Sequence, residues 1–356
     1  MHILFFGNAS SRIAAIRYRI GTFAAMLEVE GHQCTVALPM SMAEEERYYD
    51  GAGPLQKVIL LAKVLLRRLG QLRHVPRADA IVFRGKLFPY GPPVLERLVC
   101  LLNRRVIIDL DDAIWEPPAH VDSFFLRLVD YGWTKKMARR CAHCIVGNET
   151  LANYVRPLNA AVTVIPTCID MPLHEGKTYT IRDEVCLGWT GLKDNLGYLE
   201  PIEPVLQALA STNAITLHIA TGKPYELEGV TVENAEWVLE DEIAYLQHAD
   251  IGLMPLHDTA RARGKCAFKA LQYMAVGTPV VLSPVGMNRD VITDGVDGFH
   301  ANTPEEWQEK LTRLIVDPEL RERMGRAARK TVATRYSHDV YYPVFKELLL
   351  SIGRKS

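Results

Sequence analysis

The sequence has little to tie it to a bilayer interior, a polyanion or a disulfide framework. Across 356 residues there is no uninterrupted apolar run of roughly the 18 residues that a membrane-spanning helix needs. The opening MHILFFGNASSR has no basic stretch ahead of its short apolar run, so no secretory leader is expected. Neither sign of charge dominates. Lys and Arg number 41 against 42 Asp and Glu, a net charge of −1, which disfavours a nucleic-acid binder that works by bulk positive charge. The seven cysteines are odd in number and irregular in spacing. Cys141 and Cys144 form one C-x-x-C, but no second pair follows at zinc spacing. Buried thiols in a reducing cytosol fit better than metal ligands, and no metal is expected. No G-x-G-x-x-G follows the first apolar run, which argues against a nicotinamide dehydrogenase.

What remains is an ordinary globular composition, 48% hydrophobic and 23% charged, with length for about two domains. The neutral total hides an asymmetry. Residues 1–168 hold 21 basic and 15 acidic residues, a balance of +6, while residues 169–356 hold 20 and 27, a balance of −7. Such a contrast marks a domain boundary, and the positive half suits anionic partners such as phosphates or lipid headgroups.

Short apolar runs at 2–6, 33–38, 79–84, 105–110, 144–147 and 162–166 read as buried strands. Helical stretches at 13–30, 55–73, 92–103 and 122–140 separate them. Residues 169–183 are polar and irregular and read as a linker. The alternation then restarts, with strands at 185–189, 215–220, 250–256 and 278–283 and helices at 196–210, 240–248 and 265–276. Helices at 304–316, 318–334 and 338–352 close the chain. The expected fold is α/β, with two Rossmann-like, doubly wound parallel sheets facing a central cleft, one in residues 1–168 and one in 184–335. Residues 336–356 are expected to cross back to the first domain.

Residues 55–73, LQKVILLAKVLLRRLGQLR, carry five basic residues and no acid. At helical spacing Val58, Leu61, Leu65, Leu69 and Leu72 form one stripe, with Lys57, Lys63, Arg67 and Arg68 opposite. Leu60 and Val64 interrupt that basic side. The helix either packs its stripe on the core with a solvated basic back, or lies on an anionic membrane surface.

The stretch from Gly264 to Gly277 carries the chemistry. Lys265, Lys269 and Gln272 are spaced i, i+4 and i+7, on one face of a predicted helix. Two cations in a first helical turn oppose the macrodipole by about 0.3–1 kcal/mol each. Either an anion, such as a pyrophosphate, sits at the helix amino terminus, or both lysines are solvated at a weak capping cost.

Here the sequence resembles the retaining glycosyltransferases of family four (glycosyl transferases group 1), which have the GT-B fold. The likeness is densest where E-D-E-I-A-Y-L-Q-H-A-D-I-G-L-M-P-L, G-K-C-A-F-K-A-L-Q-Y-M-A-V-G-T-P-V-V and S-P-V-G-M-N-R-D-V-I-T-D-G-V-D-G-F follow in order. The family usually places Glu, seven residues, then Glu at this site; here the positions are Gly264 and Gln272. The resemblance implies that Lys265 and Lys269 hold the donor diphosphate and that Gln272 meets the ribose. It also makes Thr190, Gly191 and Lys193, after the first strand of the second half, candidates for the diphosphate, although Lys193 also reads as a solvated loop lysine. Trp237 lies where a nucleobase pocket is expected, or belongs to the core. Arg261 and Arg263 add positive charge ahead of Lys265.

In the first half, Asp109-Leu-Asp111-Asp112-Ala-Ile-Trp115 resembles the D-D-A-[IV]-[WF] segment of a subgroup of these enzymes. Asp111 and Asp112 are candidates for engaging the acceptor hydroxyl, or else cap the following turn, and Trp115 is a candidate acceptor contact. Arg12, Arg17 and Arg19 suit an acceptor phosphate through their fork geometry, or are solvated.

The implied activity is retaining transfer of a sugar from a nucleotide-diphosphate sugar to a glycan or lipid-linked acceptor, in cell-surface polysaccharide or glycoconjugate synthesis. Lys269, Asp111 and Asp112 are its catalytic candidates. No cofactor beyond the nucleotide sugar substrate, no metal and no nucleic-acid partner are expected. The expected location is cytoplasmic, peripheral to the inner face of the membrane. The alternative is a non-catalytic nucleotide-sugar-binding protein of the same fold.

Overall fold

A computed structural model describes residues 1–117 and 128–354. The chain forms two compact units, one of residues 1–168 with 338–356 and one of residues 169–337.

In the first unit six parallel strands take the order β2-β1-β3-β4-β5-β6. They are β1 (His2–Phe6), β2 (Gln33–Ala37), β3 (Ala80–Arg84), β4 (Val106–Leu110), β5 (His143–Val146) and β6 (Val162–Val164). β1, β3 and β4 are buried almost throughout, as parallel strands covered on both faces must be. The closing helix His338–Arg354 packs here. Phe345 stacks against Phe5 and Phe23, with ring centroids 6.4 and 4.5 Å apart.

The second unit repeats the plan in the order β12-β11-β10-β7-β8-β9, all parallel. Its strands are β7 (Val185–Thr190), β8 (Ile215–Ala220), β9 (Thr231–Ala235), β10 (Ile251–Met254), β11 (Val280–Leu282) and β12 (Phe299–His300). Leu187, Leu217, Leu253 and Val281 from the sheet meet Leu206, Leu311 and Leu314 from its helices. Each fully buried side chain of this size stabilises the fold by about 1.5–3 kcal/mol. Residues 169–183, expected as a linker, pack on this unit. Lys177 N donates to Val276 O at 2.8 Å and Tyr179 Oη to Gly277 O at 2.7 Å.

Several elements differ from the sequence reading. Helix Met42–Asp50 has no counterpart there, although a capping box announces it. Ser41 Oγ accepts Glu44 N–H at 3.2 Å and Glu44 Oε2 accepts Ser41 N–H at 2.9 Å. The single helix expected at 196–210 is broken into two tight turns and helix Glu203–Ala210, with Pro201 and Pro204 each starting a segment. The expected helix 122–140 begins outside the described residues, and its described part is Trp133–Ala138.

Helix Pro54–Gln71 turns the opposite face to the sheet from the one its spacing predicted. Leu60, Val64 and Arg68 are buried, while Val58, Leu65 and Leu69 are exposed. Arg68 is the reason. Its guanidinium donates to Gly7 O, to Ala37 O at 2.9 Å and to Leu87 O at 3.0 Å, satisfying carbonyls at and beyond the strand ends. Burial pushes its pKa down to about 10.

Candidate functional site

Each sheet reverses its strand order once, between β1 and β3 in the first unit and between β7 and β10 in the second. Doubly wound sheets take ligands outside the carboxyl ends of strands at such a switch point.

In the second unit β7 ends in Trp189-Thr190-Gly191. Thr190 Oγ1 and Gly191 N both donate to Ala220 O at 3.2 Å, which ties this loop to the end of β8. From β10 the chain enters helix Ala260–Arg263, capped by Thr259, whose hydroxyl accepts Ala262 N–H at 3.1 Å. The one helix expected over 265–276 is in fact interrupted. Residues 264–267 form a bend, and a new helix runs Phe268–Ala275. Ala267 takes a left-handed φ of 52°, the one positive φ at a non-glycine among the described residues. Such a conformation costs about 1–3 kcal/mol and persists where the surrounding structure imposes it. Lys265 therefore sits in the bend and not on the helix face of Lys269 and Gln272.

The bend still brings the two cations into electrostatic contact. Burial, and then the charge of Lys265, hold the Lys269 pKa well below the ordinary lysine value. Lys269 Nζ lies 3.8 Å from the centroid of the buried Trp189 ring. Among the described residues no carboxylate or hydrogen-bond acceptor answers this ammonium group. Gly191 leaves room for this placement, because a methyl group there would meet Lys269 Nζ and Cε. Lys265 Nζ stands 5.5 Å from the centroid of the Tyr198 ring.

Among the described residues, two polar atoms on these same segments are buried without a partner, Gln272 Nε2 and Thr221 Oγ1. Gln272 is 4% exposed, one turn beyond Lys269. Thr221 directly follows Ala220, the residue that anchors the Thr190–Gly191 loop. Unsatisfied buried groups cost about 1–3 kcal/mol each, and two of them beside an unanswered cation describe a seat for a polar anion. Sequence reasoning missed Tyr198 and Thr221. The available signal for Thr221 was a hydroxyl at the carboxyl end of a predicted strand.

The remaining donor candidates are placed less centrally. Lys193 is exposed, two residues past Gly191. Trp237 is half-buried in the loop after β9. Arg263 is a correction to the sequence reading. Its guanidinium closes on Asp258 through contacts of 2.6 and 3.0 Å, so its charge is met on the surface and is not directed at a ligand.

In the first unit the three acids at the carboxyl end of β4 do not face one another unrelieved. Asp109 is buried and paired with Arg19, whose Nε donates at 2.8 Å while Nη1 donates to Ile165 O at 3.0 Å. Arg19, expected to meet an acceptor phosphate, is 4% exposed and committed to this internal pair. Arg84, at the end of β3, bridges Asp111 and Asn8. Its Nη2 donates to both Asp111 oxygens and its Nη1 to Asn8 Oδ1 at 3.0 Å. Burial alone would raise the Asp111 pKa, but the charges of Arg84 and Arg19 outweigh it and hold the carboxyl below its usual range. Asp112 Oδ1 accepts the N–H of Ala113 at 2.9 Å and caps the following turn. Trp115 stacks on Tyr154 with centroids 3.7 Å apart and ring planes at 5°. Arg17 Nη1 donates to Arg12 O at 2.5 Å, and the loop just before Arg12 is fastened by Ser10 Oγ donating to Glu45 Oε2 at 2.6 Å.

Residues 229–331, which include the bend, Lys269 and Gln272, match the family model described as glycosyl transferases group 1. D-inositol 3-phosphate glycosyltransferase of Thermobifida fusca (strain YX) is 29% identical over 150 residues, which is 42% of this chain and 30% of that protein. The matched stretch thus spans less than a third of that relative's length. Sucrose-phosphate synthase from Thermosynechococcus elongatus shares the fold over 100% of both chains, with a TM-score of 0.72 and 14% identity. HepE from Anabaena, solved in complex with UDP and glucose, does so over 99% of this chain and 100% of that one, with a TM-score of 0.62 and 16% identity.

The fold is GT-B. In GT-B terms the Lys265–Gln272 segment belongs to the second Rossmann-like unit and the Arg84–Asp111 pair to the first.

Proposed function

We propose that this chain is a retaining glycosyltransferase that uses a nucleotide-diphosphate sugar. One observation carries the reading: Lys269 is a desolvated ammonium over Trp189, with a second lysine beside it and no counter-charge among the described residues. A diphosphate supplies the missing charge. Lys265, Lys269 and the positive end of helix Phe268–Ala275 then stabilise the charge that develops on the leaving diphosphate. Gln272 donates to the ribose, Thr190, Gly191 and Lys193 border the phosphates, and Trp237 borders the base. The complex of HepE with UDP and glucose supports this class of donor.

On the acceptor side, Asp111, kept ionised by Arg84, orients the attacking hydroxyl, while Arg12 and Arg17 suit an acceptor phosphate. The hydroxyl oxygen bonds to the anomeric carbon as the bond to the diphosphate breaks. The proton passes to the departing phosphate oxygen, which leaves on the same face, so configuration is retained without a protein nucleophile. The acceptor is a glycan or a lipid-linked sugar met at the cytoplasmic face of a membrane, in polysaccharide or glycoconjugate synthesis.

The test is a thermal-shift screen of nucleoside diphosphates and nucleotide sugars, followed by turnover of the best donor. A ligand that binds only the native state raises the melting temperature with its concentration. No shift with any nucleotide overturns the reading. A second reading, nucleotide-sugar binding without transfer, is favoured by Gly264, which brings no side chain to a place where the family usually has Glu. Binding without turnover across many donors and acceptors would select it.

A further inference from the structure

Two glycines lie side by side where the second sheet reverses its order. Gly188 of β7 and Gly252 of β10 are register partners on neighbouring strands. Glycine weakens a strand interior and marks a place where another group approaches closely. Here that group is the ring of Tyr273, from helix Phe268–Ala275. A methyl group on Gly252 would stand 2.5 Å from Tyr273 Cγ. One on Gly188 would meet Ala249 Cβ and stand 2.9 Å from Tyr273 Oη. The ring therefore spans both strands, its root over β10 and its hydroxyl end over β7. Tyr273 is 2% exposed, and the root of a ring held in this way cannot swing aside.

Lys269 precedes Tyr273 by four residues, so the two share one face of the helix. Both follow β7. Tyr273 lies over Gly188, and Lys269 Nζ lies 3.8 Å from the ring centroid of Trp189, the next residue. The helix thus touches this strand at two neighbouring points, one rigid and one flexible. A lysine stem has four rotatable carbons and cannot fix the register of the helix that carries it. The bend at Ala267 separates this helix from the one before it, so its own contacts with the sheet place it. Among those contacts the ring on the glycine pair stands directly beside the Lys269 seat.

We propose that Tyr273 is a positioning residue for the donor site: its ring, seated on Gly188 and Gly252, fixes the height and register of helix Phe268–Ala275 and so sets where Lys269 stands on Trp189. The proposal rests on the reading that Lys269 meets the donor diphosphate, and it names the residue that places the ammonium group.

The experiment is a double-mutant cycle on diphosphate affinity in the full chain. The probe is whichever of UDP, ADP, GDP and dTDP gives the parent its largest thermal shift, titrated by calorimetry. Tyr273→Phe keeps the ring and is expected to bind like the parent. Tyr273→Met fills the notch with a flexible chain, which cores accept, and is expected to weaken binding about tenfold. In a Lys269→Met background the same change is expected to cost about twofold or less, because the group that Tyr273 places is gone. Gly252→Ala lifts the ring from the other side and completes the same cycle if Tyr273→Met does not fold. A residue that only supports the core would lower the melting temperature and leave affinity alone, or act equally with and without Lys269. Either result overturns the proposal, as does a Tyr273→Phe variant that binds as weakly as Tyr273→Met. A parent chain that binds none of the four diphosphates overturns the donor-site reading itself, and the proposal with it, so the two failures are told apart.

Discussion

Two sets of desolvated cations in this molecule have opposite environments. In the first unit Arg19 and Arg68 are 4 and 1% exposed and well answered, one by Asp109, Ile165 O and Thr167 Oγ1, the other by three carbonyls and Gln71. In the second unit Lys269 rests on an aromatic face with Lys265 for a neighbour and no acceptor among the described residues. A guanidinium whose donors are all used is part of the scaffold, because desolvation has been offset within the fold. An ammonium left unanswered stays desolvated at a cost that the fold alone does not offset, and its position at a strand switch point says what does. The difference separates structure from function among residues that look alike in a sequence.

The largest effect should come from breaking the answered side. Arg19→Ala leaves Asp109 buried and unpaired, and stability should fall by about 3–5 kcal/mol. Urea denaturation checks it; a variant as stable as the parent would mean that the pair does not support the fold. The double change Arg19→Met with Asp109→Leu should recover most of the loss, because no charge is then stranded.

Lys269 should behave in the opposite sense. Lys269→Met keeps the packing on Trp189 and removes an unanswered charge, so the free protein should be no less stable. Turnover, by contrast, should fall by about a hundred- to a thousandfold, the cost typical of losing one donor to developing negative charge. Equal losses of stability and activity would remove the contrast with Arg19. The same lysine predicts a proton linkage. Its folded pKa lies below the unfolded value, so between the two the unfolded chain binds more protons, and stability of the free protein rises with pH through that window. A bound diphosphate restores the lysine's charge. Nucleotide binding in that window should therefore take up a proton, which calorimetry in buffers of different ionisation enthalpy measures. Lys269→Met should abolish the uptake.

The parts legible in the sequence were those with short periods. Alternating apolar runs gave the six strands of the first sheet and four of the six in the second, missing the edge strands β9 and β12, and lysines four residues apart gave the cation pair. What was illegible depended on where long side chains go. Arg68 reads as a solvent residue, yet it reaches back to Gly7 and Ala37 and turns helix Pro54–Gln71 over. Arg19 reads as a phosphate ligand, but its partner Asp109 is 90 residues away in the chain. The bend at Ala267 was hidden because alanine is a strong helix former, and its left-handed conformation is imposed by tertiary structure. Lys265 reaches its place beside Lys269 through that bend, not through the helical spacing that suggested the pair.

A finer test asks whether the approach of Lys269 to Trp189 matters as well as its charge. Gly191→Ala places a methyl group against Lys269 Nζ and Cε. The end of the lysine side chain must then move off the ring, a small cost for a flexible side chain. If the site depends on the placement of the ammonium, the loss appears as weaker nucleotide binding in a titration. If only stability falls, the glycine serves packing.

The smallest expected effect lies at Gln272, and it sharpens the same distinction. Its amide nitrogen is buried without a partner, as Lys269 is charged without one. Gln272→Leu removes the orphaned donor at nearly constant volume, so the free protein should gain up to about 1 kcal/mol. Nucleotide affinity should drop about three- to tenfold, the worth of one net hydrogen bond of 0.5–1.5 kcal/mol. The two changes have opposite signs only if a ligand completes this site. Thermal melts of the free protein and calorimetric titration of a nucleoside diphosphate read them independently. A gain in stability with unchanged affinity would assign Gln272 to the core and leave the lysines as the donor's contacts on that helix.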